Sequence, residues 1–344
     1  MGLQAEQIAD VVEVVKDVER PGTYTLLTTE LQKYPAMKQI MASKKRSERG
    51  GEQLSFTAMV GSNDSAQTTA LFGEIDITQA DLFKKGRVPW RHVTNFYLFD
   101  EREPELNSSP RDLADIVRGR RTDCMVGLAK KFEIWFWETP TGAEDADDAP
   151  PYGVRYWIQR DNTDTDGAFQ GGNPAGFAAG CAGLSSTTYP NWANYSVGYE
   201  DVGEDDFVKR LRKAGQWCDF ENPVVVPGDR TASYGYYTNW TVFDALSEVA
   251  KSRNDNLGWD LALQAPINKG VAIQYVPYLN GDSENPFYGI DWAVFRPTFQ
   301  RGEWMNETTV PHPGKQHRTV ATFVDCSLNY ECRDRRRLFV LYEV

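Results

Sequence analysis

Residues 109–140 run SPRDLADIVRGRRTDCMVGLAKKFEIWFWETP and carry the strongest periodic signal in the chain. Leu113, Ile116, Val117, Arg120, Cys124, Leu128, Phe132, Trp135 and Phe136 recur at steps of three and four, the spacing of one helix face. Ser109 is placed to cap the N-terminus with Pro110 at the first helical position, and Asp112 puts an acid in the first turn. Pro140 and Gly142 stop the run. The pattern predicts a helix over 109–138. About 29 residues at a rise of ~1.5 Å make a rod of roughly 40 Å, long for a compact domain and suited to a strut across a flat molecule.

Toward the N-terminus the pattern changes twice. In residues 52–100, Leu54, Phe56, Ala58 and Val60 alternate with mostly polar residues, which predicts a half-buried strand. Gly61–Ser65 is a polar loop, and Val88–Phe99 reads as a returning strand of mixed faces. The two make an extended hairpin with little core of its own, which calls for a partner surface. Residues 1–49 read as an arm. Ile8, Val11, Val12 and Val15 share one face of a short helix over Ala5–Val18, and a second amphipathic piece spans Thr28–Met41 with Pro35 inside it. The basic run Lys44-Lys45-Arg46 then leads to Gly50-Gly51.

Toward the C-terminus, Glu144–Asp148 is an acidic surface loop and Tyr152–Gln159 reads as a strand. Residues 161–199 are rich in Gly and Asn with little periodicity, a length of loop that is usually functional or interfacial. Asp205–Trp217 is an amphipathic helix with Phe207, Leu211, Ala214 and Trp217 inward, and Trp240–Lys251 is another. Val271–Leu279, Gly289–Phe295, Arg318–Leu328 and Leu338–Tyr342 read as strands; neither face of Arg318–Leu328 is polar. The fold class is α+β.

Composition narrows the function classes. The chain has 344 residues, 41% hydrophobic and 25% charged, ordinary for a globular protein large enough to need no metal or disulfide staple. The net charge of -12 opposes tight binding to nucleic-acid phosphates. No apolar run is long enough to span a bilayer, and the N-terminal residues lack the pattern of a signal peptide, so neither membrane nor secretion is expected. Five scattered cysteines, at 124, 181, 218, 326 and 332, are expected to be free buried thiols. Ten tryptophans suit either an aromatic core or extensive subunit interfaces.

No constellation for catalysis stands out. Phosphate-binding glycine loops and the Gly-x-Ser-x-Gly elbow are absent. His92, His312 and His317 do not form a metal-binding pattern. Asn162–Gly167 resembles the start of a calcium loop, but Asn173 stands where the bidentate Glu belongs. Cys181, in Gly176–Gly183, has no base in a matching signature and reads as part of a tight small-residue loop. Arg333, Arg335, Arg336 and Arg337 form a basic cluster suited either to phosphate or to bidentate pairing with a neighbour's carboxylates.

Three blocks then resemble the major capsid proteins of tailed double-stranded-DNA phages. The first is Tyr156-Trp157-Ile158, Gly171-Gly172-Asn173-Pro174, Gly176-Phe177, Gly183-Leu184, Asn191-Trp192 and Tyr199. The second is Tyr237-Thr238-Asn239 with Asn254–Asp260, and the third is Val276–Leu279 with Asn285–Trp292. Cys332–Leu341 resembles that family's C-terminal signature. The resemblance covers roughly the last half of the chain; the first half agrees in layout.

The family implies a Hong Kong 97-type fold: an N-terminal arm (1–49), an extended β-hairpin loop (50–104), a peripheral domain with a spine helix at 109–138 (105–219 and 316–344) and an axial domain (220–315). It implies a non-enzymatic shell subunit in the virion capsid, assembled in the host cytoplasm as hexamers and pentamers around double-stranded DNA, with no sequence-specific DNA contact and no cofactor. Partners would be identical subunits, a separate scaffolding protein, a portal and decoration proteins. The arm is expected to be retained and the subunits to lock without covalent crosslinks, although Lys84 and Lys85 lie in the hairpin. Candidate intersubunit contacts are Leu54, Phe56, Lys84, Lys85, Arg333, Arg335 and Arg336. A bacterial nanocompartment shell of the same fold is the alternative, and an enzyme using Cys181 a distant third.

Overall fold

The computed structural model describes residues 33–43, 48–61, 66–69, 71, 82–103, 110–140, 149–160, 166–219, 232–252, 267–268, 270–314 and 318–344. The expected helix Ala5–Val18, the runs Lys44–Arg46 and Glu144–Asp148, most of the calcium-like loop and the block Asn254–Asp260 lie outside these residues. In chain order the elements are α1 (Pro35–Ser43), β1 (Glu48–Arg49), β2 (Gln53–Met59), β3 (Phe83–Pro89), β4 (Arg91–Asp100), α2 (Pro110–Trp137), α3 (Val154–Trp157), β5 (Ala168–Gly171) and β6 (Asn194–Tyr199). There follow α4 (Lys209–Cys218), β7 (Tyr234–Thr238), α5 (Trp240–Ser252), β8 (Ile267–Asn268), β9 (Val271–Tyr275), β10 (Phe287–Asp291), β11 (Phe295–Gln300), β12 (Asn306–Pro311), β13 (Thr319–Cys332) and β14 (Phe339–Glu343). No described helix is long and apolar enough to cross a membrane.

Two compact units emerge. The first combines the chain up to Gly50 with Trp90–Ile134 and Phe299–Leu328. Its sheet centres on β13, antiparallel to β4 from Thr319↔Asp100 to Leu328↔Arg91 and to β12 from Asn306↔Asp325 to Pro311↔Val320. Both faces of β13 carry buried residues, Val320, Thr322 and Val324 on one and Ala321 and Ser327 on the other, which is why Arg318–Leu328 shows no polar face. Helix α2 covers one face of this sheet. Asn95 donates to the Cys124 carbonyl at 2.9 Å, and Arg120 donates to the Leu98 carbonyl at 2.8 Å while standing 5.2 Å over the Phe99 ring. Arg121 grips Glu307, and Phe132 stacks on Trp304 at 5.9 Å. Helix α1 is tied to α2 by the buried Glu133 carboxylate, which accepts from Ala36 N and Met37 N at 3.3 and 2.9 Å. A carboxylate satisfies both the free N–H groups and the positive end of a helix.

The second unit combines Gly51–Pro89, Trp135–Thr298 and Asn329–Val344. It is built on a seven-stranded mixed sheet, ordered β5-β6-β14-β10-β7-β9-β8. The last strand of the chain, β14, is internal to it, parallel to β6 and antiparallel to β10. Helices α4 and α5 press Leu211, Ala214, Cys218, Val242 and Leu246 onto Tyr195, Val197, Tyr236, Phe287, Phe339 and Leu341. Gly289 is required where β10 crosses Phe339, because a Cβ there would lie 2.2 Å from the ring.

Several expectations need correction, each for a local reason. The returning strand Val88–Phe99 is two strands. Only β3 pairs with β2, from Gln53↔Pro89 to Met59↔Phe83, whereas β4 pairs with β13. Burial falls on even positions in β3 (Gly86, Val88) and on odd ones in β4 (Val93, Tyr97, Phe99). That change of phase at Trp90 is the mixed pattern seen in the sequence. Tyr152–Gln159 is not a strand; its centre is the single turn α3, with Tyr152, Val154, Tyr156, Trp157 and Ile158 all buried. A segment buried all round has no period by which strand and helix differ. Cys218, not Trp217, completes the inward face of α4; Trp217 is 51% exposed. Val271–Leu279 leaves the sheet after Tyr275 because Pro277 opens a 3₁₀ turn over Pro277–Gly281. Gly289–Phe295 likewise splits into β10, a turn and β11.

That 3₁₀ turn ends at an ion-pair junction. Arg155 and Arg160 both donate to Asp282, and Arg160 also reaches Glu284 and, at 2.9 Å, the Tyr288 hydroxyl. Burial alone would raise the Asp282 pKa, but the Arg160 hydrogen bond and charge, then Arg155, outweigh it and hold the carboxyl below its ordinary range. A depressed folded pKa means that Asp282 stabilises the fold fully above its unfolded value of about 3.9 and loses that contribution as pH falls through the lower folded value. Urea titration of the parent and Asp282→Asn chains should show a parent advantage at pH 7 that shrinks toward pH 3. An unchanged gap would contradict the assignment.

Candidate subunit-contact surfaces

The root of the β2–β3 hairpin is seated on its own chain. Leu54 and Phe56 are 1% and 5% exposed, and with Ala58 and Val60 they face inward. The Phe56 ring lies 6.1 Å from Trp157 and 6.3 Å from Trp192. Gly86, opposite Phe56 in the ladder, admits this ring: a Cβ there would sit 2.6 Å from it. Arg87 N donates to the Ala182 carbonyl at 3.0 Å. Leu54 and Phe56 are therefore not intersubunit contacts, and this part of the hairpin finds its partner surface within the second unit. The alternation that marked these residues reports burial without saying which chain supplies the cover.

The outer face of the hairpin presents Ser55, Thr57, Lys85 and Arg87, with Lys84 half-buried. At its far end Met59 and Phe83 pair directly across the ladder, both about 60% exposed (59% and 61%). The sequence holds a signal for Met59. It is the apolar residue on the polar phase of an alternating strand. Other large apolar groups left open include Phe96, 6.0 Å from Phe323 on the face of the first unit's sheet, and Trp240, packed 5.5 Å from Tyr275.

The C-terminal arginines divide sharply. Arg335 is fully buried, with Nε donating to Trp157 O at 2.9 Å and one terminal nitrogen to Trp192 O at 2.7 Å. The other reaches Gly172 O at 3.1 Å and Asn194 Oδ1 at 3.0 Å. Asn194 in turn exchanges two hydrogen bonds with the Gln159 backbone. Gly171 must lack a side chain because a Cβ would fall 1.9 Å from Asn194 Oδ1. Asn173, the residue misplaced for a calcium ligand, bonds Ser185 and Ser186 instead. Arg336 is half-buried 4.3 Å over the Phe169 ring, and Asp334 caps the Arg335–Arg337 turn by accepting from Arg336 N. Arg337 is buried, 3.6 Å from Asp291, and only Arg333 is exposed, 3.6 Å from Glu331. Arg335 is thus a clamp within the subunit and not an intersubunit contact. Only the guanidinium fork can serve four such acceptors, and the sequence does not say which of four neighbouring arginines turns inward.

All five cysteines are free and buried. Burial pushes the Cys124 and Cys326 thiols up to about 11. The Cys181 thiol donates to Tyr156 O at 3.1 Å, and its carbonyl accepts from the Trp192 indole. Its chemistry here is packing. Among the described residues no three His, Cys, Asp or Glu side chains converge to hold a metal ion.

No protein-family model and no curated protein matches the sequence. Solved structures do match. The capsid asymmetric unit of cyanophage A-1(L) aligns with a TM-score of 0.65 at 13% identity, covering 95% of this chain and 97% of that one. The capsid of a native GTA particle aligns at 0.55 and 13%, covering 95% and 96%. A structure from Mycobacterium phage Bobi aligns at 0.52 and 8%, covering 96% and 97%. The likeness fixes the fold: an α+β capsid fold of the Hong Kong 97 type.

Two outcomes check the surface assignments. Arg335→Lys offers three donors on one nitrogen where three separate nitrogens now meet four acceptors, and each buried carbonyl left unpaired costs about 1–3 kcal/mol, so denaturant unfolding should show a loss of at least about 1 kcal/mol. Arg333→Ala should stay within about 0.5 kcal/mol of the parent; similar losses for both would refute the division. Replacing Met59 and Phe83 by Ser should likewise leave unfolding within about 1 kcal/mol of the parent, the range expected at exposed sites, while lowering self-association measured by light scattering.

Proposed function

We propose that this chain is the major capsid protein of a tailed double-stranded-DNA phage, a non-enzymatic subunit that tiles into hexamers and pentamers of an icosahedral shell around the genome. The observation that carries the reading is the match to the cyanophage A-1(L) capsid, which runs through nearly the whole of both chains, 95% and 97%. The packed thiol of Cys181 and a net charge of -12 agree with a container that neither turns over a substrate nor grips its DNA.

In this reading residues 1–49 act as the arm, 105–219 with 316–344 as the peripheral domain and 220–315 as the axial domain. Of the 50–104 loop, the part that reaches a neighbour narrows to the outer end of the β2–β3 hairpin, because β4 belongs to a sheet of its own unit. Lys85, Met59, Phe83 and Arg333 remain as contacts, with Lys84 and Arg336 at their margins. Each contact is modest, and closure of a shell multiplies many of them. Scaffolding, portal and decoration proteins are separate partners, assembly takes place in the host cytoplasm, and the arm is retained.

Electron microscopy of the purified full-length protein, with intact mass and a denaturing gel of any particles, tests this. Closed icosahedral particles, loaded with DNA in infected cells, of unshortened subunits and without a ladder of multimers are expected. A protein that stays strictly monomeric when produced together with the scaffolding protein sinks the reading. Particles filled with an enzyme cargo and no DNA transfer it to a nanocompartment shell of the same fold.

A further inference from the structure

Two surfaces of the second unit carry opposite charge that its own residues leave largely unanswered. Helix α4 turns Lys209, Arg212, Lys213, Gln216 and Trp217 to solvent at steps of three and four, and contains no acid. Arg212 makes no hydrogen bond or ion pair among the described residues, and Lys213 bonds only the Asp166 carbonyl while lying 6.0 Å over the Trp217 ring. Lys209 pairs only with Asp205, itself 96% exposed.

The complementary surface lies beside α5. A cavity of about 400 Å³ opens there, lined by Glu200, Asp201, Val202, Ala245, Glu248 and Glu343 among others, with no cation in its wall. The side chains of Glu200, Asp201 and Glu248 make no hydrogen bond or ion pair among the described residues, whereas Glu343 accepts from Asn285. These carboxylates do not converge on a metal position. Their spacing suits several cationic side chains rather than one ion.

We propose that the α4 stripe of one copy docks in the α5 cavity of the next, with Arg212 and Lys213 among Glu200, Asp201 and Glu248, and Trp217 against Val202 and Ala245. The occupant is a second copy of this chain. Both surfaces sit on the same helical layer but over different parts of the sheet: α4 packs on β6 and β14, α5 on β9. Each copy therefore offers one of each, and a head-to-tail contact of two different patches generates a ring where its rotation closes. Opposed charge fixes the register and speeds encounter, while the tryptophan supplies the desolvated anchor. The contact also places the stripe's cations against acids in a chain whose net charge of -12 otherwise opposes self-association. The inference rests on the shell reading and adds which surfaces meet.

The test uses the full-length chain with paired charge reversals. Arg212→Glu with Lys213→Glu, and separately Glu200→Lys with Glu248→Lys, should each lower particle yield in electron micrographs at least tenfold with the thermal midpoint unchanged. Combining all four reversals restores complementarity and should return the yield to within about threefold of the parent. Double variants that assemble like the parent, or a folded quadruple variant that recovers nothing, overturn the docking while leaving the shell reading intact. A parent that forms no particles overturns the shell reading instead. Sedimentation velocity at low salt then judges the docking alone: association in the parent that both doubles lose supports it, and equal association in all three refutes it.

Discussion

A single buried guanidinium organises the second unit. Residues 157–159, 171–173 and 192–194 come from stretches with little ladder of their own, so their carbonyls would be buried without partners. Arg335 meets three of these carbonyls and the Asn194 amide at once. A buried positive charge without a carboxylate is tolerable only where several dipoles point at it, and the same dipoles are satisfied only while it is there. The glycines and asparagines around the clamp follow from this. Gly171 yields space to Asn194, Gly172 lends its carbonyl, and Asn173 closes the next turn.

The clamp reaches the outer surface through two tryptophans. The carbonyls that Arg335 binds belong to Trp157 and Trp192, whose rings receive Phe56. Positioning of the hairpin root is thereby tied to the same network, and with it the face that carries Lys85, Met59 and Phe83. The shell proposed above requires a subunit that is rigid inside and unsatisfied outside. Rigidity comes from groups that find every partner within the chain. In the proposed shell, association rests on exposed apolar and charged groups such as Met59, Phe83 and Lys85, each weak alone and strong when repeated around a closed surface.

Much of the architecture was legible in local patterns. The steps of three and four predicted a helix over 109–138, and α2 runs from Pro110 to Trp137. The alternation Leu54, Phe56, Ala58, Val60 marks the buried face of β2 without remainder. Even the error at Val88–Phe99 had its cause in plain view, since a strand whose faces seem mixed can be two successive strands in opposite phase. Met59 was visible as an apolar residue on the wrong phase. Cys181 was readable as packing, because the sequence offers no base for it.

The sequence by itself determined what depends on neighbours along the chain: helix and strand periods, proline stops, free cysteines, and the acidic balance. Tertiary structure alone decided what depends on groups far apart. Arg333, Arg335 and Arg336 are chemically alike and nearly adjacent, yet one is solvated, one fully buried and one laid over Phe169, because residues 140–180 positions away supply the acceptors. The same holds for Tyr152–Ile158, where burial on every side erases the period, and for Leu54 and Phe56, whose pattern demanded cover without naming it. Burial is a property of the surrounding volume, and a one-dimensional pattern records only that a side chain must leave water, not what it meets when it does.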